Sequence, residues 1–235
     1  MAAIRLDDTR QGARSPWARA APRLGGGSLS TKRSNAPPPG SDHLELAASV
    51  QRRIERFYRL EHAPAVQPFI KVTRRGEREV VRIREARDGA VEIEIRTPPP
   101  SSTHRLDVLC QIIEGVSHFV YVADRARRQL PATQLELELQ AEIDKYMLLV
   151  LSKASFDPDV ARLLHAQLYE RVHFAHPEGT ELGDRYRFAN DLAARFVRRL
   201  EVVYAEKGRR TELRDALARF YGMGQADKIQ YARAA

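Results

Sequence analysis

Helical periodicity dominates the chain after the run Pro98-Pro99-Pro100. Apolar residues recur there every three or four positions up to about Gln129, where Leu130-Pro131 ends the first helical pattern. Further segments of the same kind follow almost to the end of the chain. Because amphipathic helices bury their apolar stripes against one another, residues 104–235 are predicted to form a bundle of about five helices.

Local signals mark where several of these helices begin. Thr133 and Glu136 have the spacing of a capping box, in which each side chain satisfies a backbone amide of the other residue. Asp157-Pro158 supplies an N-cap residue followed by proline at the first helical position. A long helix is predicted from about Asp184 to Glu206, and Thr211 is predicted to cap a last short helix.

A β-sheet signal precedes the bundle. Apolar residues alternate with charged ones on both sides of Asp88-Gly89, namely Val81 and Ile83 and then Val91, Ile93 and Ile95. This pattern predicts an antiparallel β-hairpin within residues 69–97. Phe69 to Val72 would add a third strand through the turn Arg74-Arg75-Gly76. With a first helix over residues 42–60, the predicted fold class is α+β and mostly α, as one domain over residues 41–235.

Residues 1–40 have the composition of a disordered basic tail. They carry a net charge of +5 out of the chain total of +8, and their apolar residues are few and scattered. Such a segment buries too little apolar surface to offset the entropy cost of ordering it. The rest of the chain is close to neutral, so nucleic acid is a less favoured partner, reached only through the tail.

Composition also bounds the location and the chemistry. With one cysteine, Cys110, the chain cannot form an intramolecular disulfide or a multi-cysteine zinc module, and a cytoplasmic location is expected. No uninterrupted apolar run approaches the roughly 20 residues that are needed to cross a membrane. A membrane is therefore not expected as a partner. The phosphate-binding loops, the dinucleotide fingerprint and the serine-hydrolase elbow are missing from the sequence.

The candidate site is a polar cluster on two neighbouring predicted helices. Glu114 and His118 on one helix, and Glu138 and Glu142 on the next, are each spaced i, i+4 and therefore share a helical face. Buried carboxylates need partners, so the two faces are expected to meet. The other residues assigned to this cluster are Tyr121, Arg185, Tyr186 and Asn190.

A metal site is one interpretation of this cluster. Glu114, His118 and Glu142 could hold a divalent zinc, iron or manganese ion and leave a coordination position for water. The chain would then be a metal-dependent hydrolase or a degenerate zincin-like protein. The zinc metallopeptidase motif is matched at one histidine alone, since Glu114 and Gly115 stand where that motif has its first histidine and its general base.

The favoured interpretation is a non-catalytic helical interaction or regulatory protein. In this interpretation the polar cluster is an internal network that fixes how the helices pack, and the partner is another protein. No residue is assigned a catalytic role, and no cofactor is required. The metal-dependent hydrolase is the first alternative, and a nucleic-acid accessory factor acting through the arginine-rich tail is the second.

Overall fold

The computed structural model describes residues 5–6, 41–61, 63–72, 80–85, 91–97 and 105–234. The helices in these ranges are α1 (Ser41–Tyr58), α2 (Arg105–Arg127), α3 (Gln134–Tyr146), α4 (Pro158–His165), α5 (Glu181–Leu200), α6 (Arg210–Gly222) and α7 (Gln225–Arg233). The strands are β1 (Arg5–Leu6), β2 (Ile70–Val72), β3 (Val80–Glu85) and β4 (Val91–Thr97). The prediction of a mostly helical chain with a small sheet is confirmed.

The strands form one sheet in the order β1-β3-β4-β2. β3 and β4 pair antiparallel, with Ile83 opposite Ile93, as the hairpin pattern predicts. The predicted three-stranded antiparallel sheet is wrong, because β2 pairs in parallel with β4 rather than antiparallel with β3. Alternation determines which side chains share a face, but it does not specify the neighbour or direction of a strand. The predicted turns at 74–76 and 88–89 lie outside the described residues.

The second pairing of the sheet involves the predicted tail. Arg5 and Leu6 form β1, which runs parallel to β3 with Leu6 opposite Ile83. β1 is the part of the predicted tail that the structure describes. The remaining residues of that segment lie outside the described ranges, so their predicted disorder stays a prediction, as does a single domain over residues 41–235.

α3 lies at the centre of the helical part. It packs against α2 and α5, while α1 packs against α2 and α6, and α7 packs against α5 and α3. Every residue from Glu136 to Tyr146 is buried, including its acidic residues and its lysine. A helix enclosed in this way has no solvent-facing stripe, so each polar side chain on it must find a partner inside the protein.

Three helices end in wide π-helical turns. These turns are Met147–Leu151 after α3, Ala166–Glu170 after α4 and Glu201–Ala205 after α5. The predicted end of the long helix near Glu206 is therefore confirmed, but α5 begins at Glu181 and is capped by Thr180. Asp184 resembles a cap in the sequence, yet its carboxylate accepts a hydrogen bond from the backbone amide of Gly179, one turn before the helix.

The end of the chain differs most from its prediction. α6 begins at Arg210, ahead of Thr211, and no side chain caps it, so the predicted cap at Thr211 is wrong. α7 was not predicted at all. Its apolar periodicity is weak. Only Lys228 and Ala232 of this helix are buried, and lysine does not count towards an apolar pattern.

α2 is the one helix among the described residues that is long and apolar enough to cross a membrane. Its most apolar stretch is 67% buried within the protein. Burial of this extent is typical of the core helix of a soluble protein, where neighbouring helices rather than lipid cover the apolar surface. The predicted cytoplasmic location stays a prediction.

Candidate functional site

The four acidic and imidazole groups of the predicted cluster lie inside the protein. α2 supplies Glu114 and His118, and α3 supplies Glu138 and Glu142, each only 1–2% exposed. His118 Nε2 and Glu138 Oε2 are 4.0 Å apart. The two helical faces therefore meet, as their spacing predicts, with Glu138 rather than Glu142 opposite the imidazole.

Lys145 is the central cation of the cluster and was not among the predicted residues. Its ammonium donates a 2.7 Å hydrogen bond to Glu142 Oε1 and a 3.1 Å hydrogen bond to Glu114 Oε2. Burial lowers the pKa of Lys145, but Glu114 and Glu142 outweigh this effect and raise it above its usual range. Lys145 is therefore charged, and it ties α2 to α3 through an internal ion pair.

Glu138 is left without a cation of its own. Burial raises its pKa well above the usual range, and the nearby Glu114 and Glu142 raise it further, while Lys145 and Arg185 oppose the shift. Its Oε1 atom makes no hydrogen bond within the described part of the chain. Burial beside two other glutamates therefore favours the protonated form of this carboxyl group.

His118 is neutral for a similar reason. Burial lowers its pKa to about 4, and the opposing influence of Glu114 is smaller. Neither ring nitrogen hydrogen-bonds to a described side chain, since Glu138 at 4.0 Å is beyond hydrogen-bond distance. The neutral imidazole thus faces the Glu138 carboxyl group across a 4.0 Å gap, and the backbone of Leu137 also interacts with the ring.

The predicted residues of α5 reach the cluster by different routes. Asn190 Nδ2 donates to the backbone carbonyl of Tyr169, and the Tyr169 hydroxyl donates to the backbone carbonyl of Glu142. Arg185 pairs with Glu181 at 3.2 Å, and its charge also favours ionisation of Glu138. Tyr186 is buried and its ring stacks on His176, with 5.6 Å between ring centres.

Tyr121 belongs to a different part of the interior. Its hydroxyl donates a long 3.4 Å hydrogen bond to Glu136 Oε1, which also accepts a 3.0 Å bond from Arg125. Glu136 completes the capping box with Thr133, as the sequence predicts. The predicted cluster is therefore divided, with Tyr121 on the side of α3 that carries Glu136.

A second polar network, centred on Asp144, was missed by the sequence analysis. The Asp144 carboxylate accepts hydrogen bonds from Tyr58 at 2.6 Å, Ser117 at 2.6 Å and Gln140 at 2.9 Å. Gln140 Oε1 in turn accepts a 2.6 Å bond from the ammonium of Lys228. Gln140 and Asp144 share the i, i+4 spacing of Glu138 and Glu142 but lie on the opposite face of α3, so the same pattern could have indicated them.

The geometry limits what the first cluster can do chemically. In the described part of the chain no group of three His, Cys, Asp or Glu side chains that could hold a metal ion is found, and the metal set Glu114, His118 and Glu142 stays a prediction. Lys145 lies between the two glutamates instead. Because all of these side chains are buried, a substrate cannot reach them without movement of the helices.

Comparisons of the chain with family models, with curated proteins and with solved structures gave no match. The argument for a function therefore starts from the two internal networks and from the surface. The networks join α1, α2 and α3 through hydrogen bonds to charged groups, which are roughly twice as strong as neutral ones, and the bond between Lys228 and Gln140 adds α7. The side chains of both networks are buried, so the networks are internal contacts between helices rather than a site open to solvent.

Proposed function

We propose that this chain is a non-catalytic helical interaction or regulatory protein that binds another protein through the surface of α4. The observation that supports this proposal is the position of Lys145 between Glu114 and Glu142. Glu114 and Glu142, which could have bound a metal ion or a substrate, instead form ion pairs with Lys145 of the same chain. Buried pairs of this kind fix the packing of helices, which is a structural role.

The surface supplies the second part of the argument. Among the described residues, the large apolar side chains that are exposed are Leu46, Val160, Leu163 and Val202. Val160 and Leu163 are 44% and 55% exposed and lie one turn apart on α4, so they share a face. Exposed apolar side chains that are grouped in this way mark sites of protein association more often than isolated ones do.

The opposite side of α4 faces the protein interior. Ala161, which follows Val160, is buried, and its carbonyl is within hydrogen-bond distance of the Tyr146 hydroxyl. We call Val160 and Leu163 the α4 surface, and we propose that it binds an apolar face of a protein partner.

The test compares proteins that copurify with three forms of the full chain after cross-linking in cells that produce it. The variant Val160→Glu with Leu163→Glu should lose a partner that the unchanged chain retains. Leu46→Glu, an equally exposed apolar position on α1, is the matched control and should keep that partner. The proposal is wrong if the double variant, shown to be folded by urea unfolding, retains every copurifying protein.

One observation favours a second candidate, a metal-dependent hydrolase or degenerate zincin-like protein. His118 and Glu138 face each other with unused hydrogen-bonding capacity, and the 4.0 Å between them is close to the roughly 3.4 Å that separates two ligands on a tetrahedral zinc ion. Zinc, iron or manganese would be held by His118 with the neighbouring glutamates and would compete with Lys145 for them.

Elemental analysis of untagged protein tests this second candidate. Near-stoichiometric metal that is lost in His118→Ala and kept in His173→Ala, an exposed control, would support it. Folded protein that contains no metal and binds none in dialysis would exclude it. The nucleic-acid alternative rests almost wholly on residues 1–40, which lie outside the described ranges apart from Arg5 and Leu6, and it stays an expectation.

A further inference from the structure

Among the charged residues of α7, only Lys228 is buried. Its side chain has no exposed surface, and its ammonium nitrogen donates a 2.6 Å hydrogen bond to Gln140 Oε1. The same nitrogen lies 4.9 Å from the ring centre of Tyr121, 4.5 Å from that of Phe220 and 6.0 Å from that of Tyr221. One amide oxygen and three aromatic rings therefore form the surroundings of this amine.

No described carboxylate forms an ion pair with Lys228. Asp144 and Glu136 on α3 favour its charged form, and Arg125 on α2 opposes it. Burial is the largest influence and lowers the pKa of Lys228 to about 7. In this respect Lys228 differs from Lys145, which is equally enclosed but is held charged by two carboxylates.

α7 is the last described helix, and it packs mainly against α5 and α3, with Ile229 and Tyr231 partly buried against the core. Lys228 and Ala232 are its buried residues. At its start, Thr133 Oγ1 donates a 2.7 Å hydrogen bond to Gln225, and no side chain caps the helix. Gly222 and Gly224 flank Met223 in the connection from α6, and no atom lies within 4 Å of the place where a side chain would begin at either glycine. The connection therefore has room to change direction.

We propose that α7 is a proton-linked latch, which stays docked on α3, α5 and α6 while the Lys228 amine is uncharged and opens more readily once that amine binds a proton. The physical reason is desolvation. An ammonium ion in this enclosure has one oxygen partner and is attracted by three ring faces, whereas in water it has three oxygen partners, so the proton binds the released form more strongly than the docked form. Binding of the proton and opening of the latch are therefore linked.

The other groups around the latch do not reverse this direction. On α3, burial raises the pKa of Asp144 to about 6, so its carboxylate is mostly ionised above pH 7 and partly protonated below that pH. On α2 and α6, Tyr121 and Tyr221 have pKa values raised by burial, so both are neutral there. From α5, Arg199 lies over the ring of Tyr231 on α7, at 4.4 Å from its centre, and it is charged in both states.

The direction of the pH dependence follows from these values. Above a pH of about 7 the docked form holds fewer protons than the released form, whose lysine titrates near 10.5. The equilibrium constant for opening should therefore fall by up to about tenfold for each unit that the pH rises above 7. Below about pH 7 both forms hold the proton, so the opening constant should level off.

Hydrogen–deuterium exchange of the full chain at about pH 6.5, 7.5 and 8.5 tests this inference. Exchange rates are divided by their intrinsic rates, and α7 is compared with α3 in the same samples. We expect the protection of α7 to rise by about threefold over the first step and by nearly tenfold over the second, while that of α3 changes little. Equal protection of α7 at the three pH values would overturn the latch.

Two variants separate Lys228 from a general effect of pH. Lys228→Met keeps a long flexible side chain that never binds a proton, so its α7 should be as protected as in the unchanged chain or more so, with no pH dependence. Lys207→Met removes an exposed lysine and should behave like the unchanged chain. A pH dependence that persists in Lys228→Met would exclude the proposal.

A third measurement does not depend on any variant. The side-chain nitrogen resonance of Lys228 in ¹⁵N-labelled protein should titrate near neutral pH, separately from the exposed lysines. Titration of Lys228 together with the exposed lysines would show that the enclosed amine stays charged, and the latch would then be wrong. The inference does not depend on the proposed α4 surface, because none of its readouts requires a partner.

Discussion

Tyr58 and Asp144 are joined by a 2.6 Å hydrogen bond between the phenol hydroxyl and a carboxylate oxygen, although 86 residues separate them along the chain. The bond ties α1 to the enclosed helix α3. Burial raises the pKa of Tyr58 well above its usual range, and Asp144 raises it further, so the phenol is a permanent donor at neutral pH. Ser117 and Gln140 hold the same carboxylate from α2 and α3.

Removal of the Tyr58 hydroxyl should destabilise the protein moderately. Tyr58→Phe keeps the stacking on Tyr221 but leaves the Asp144 carboxylate with two donors instead of three. We expect the free energy of unfolding to fall by about 2 kcal/mol, the usual cost for a hydrogen bond to a charged group. Urea unfolding measures this change, and Tyr204→Phe, at a partly exposed position, should change it by much less.

Loss of Lys145 should be among the most damaging single changes. Lys145→Met leaves Glu114 and Glu142 buried without their shared cation, and we expect the free energy of unfolding to fall by about 3–5 kcal/mol. Lys153→Met, at an exposed position, is the control. If the loss comes from unpaired charge, adding Glu114→Gln and Glu142→Gln to Lys145→Met should restore part of the stability, and a further loss would contradict this explanation.

His118 should lower the free energy of unfolding as the solution becomes acidic. Its folded-state pKa of about 4 lies below its ordinary value of 6.5, so between these values the unfolded chain binds a proton that the folded protein does not. The contribution is complete above about pH 6.5 and is lost as the pH falls towards 4. His118→Gln should therefore lose less stability than the unchanged chain between about pH 7 and 4.5 in urea unfolding. His173→Gln should leave that difference unchanged.

Two threonines that look alike in the sequence should behave differently when replaced. Thr133 accepts a hydrogen bond from the Glu136 amide and forms a complete capping box, whereas α6 has no side-chain cap at its start near Thr211. Thr133→Ala should lower the free energy of unfolding by about 1 kcal/mol, and Thr211→Ala should change it by less than about 0.5 kcal/mol. Similar losses in both variants would show that the cap is not the cause.

The features that the sequence predicted well are local ones. α1 to α5 carry their own periodicity, and the caps of α3 and α4 depend on residues within one turn, Thr133 with Glu136 and Asp157 with the amides that follow it. Such signals are readable without knowledge of the neighbours. The meeting of His118 with the glutamates of α3 was also predictable, because two i, i+4 pairs on consecutive helices tend to face each other.

The features that were missed depend on distant parts of the chain. β2 joins β4 in parallel because Ile70 then lies beside Ile95, where both are buried, and alternation alone does not determine that choice. No sequence signal marks Lys145 and Lys228 as buried, because lysine is almost never fully buried unless it is paired. The surrounding helices show that Lys145 forms ion pairs with two carboxylates, whereas Lys228 bonds to an amide oxygen and forms no ion pair with a described carboxylate.

The enclosure of α3 bears on how this chain tolerates change over evolutionary time. A helix with one solvent-exposed side tolerates many substitutions on that side. From Glu136 to Tyr146, however, every residue is buried among other parts of the protein. Apolar positions are restricted by shape and polar positions by their bonds, so neither kind can drift freely. A saturation library should show an almost continuous block of intolerance across these positions, and relatives of this chain should be recognisable first by this one segment.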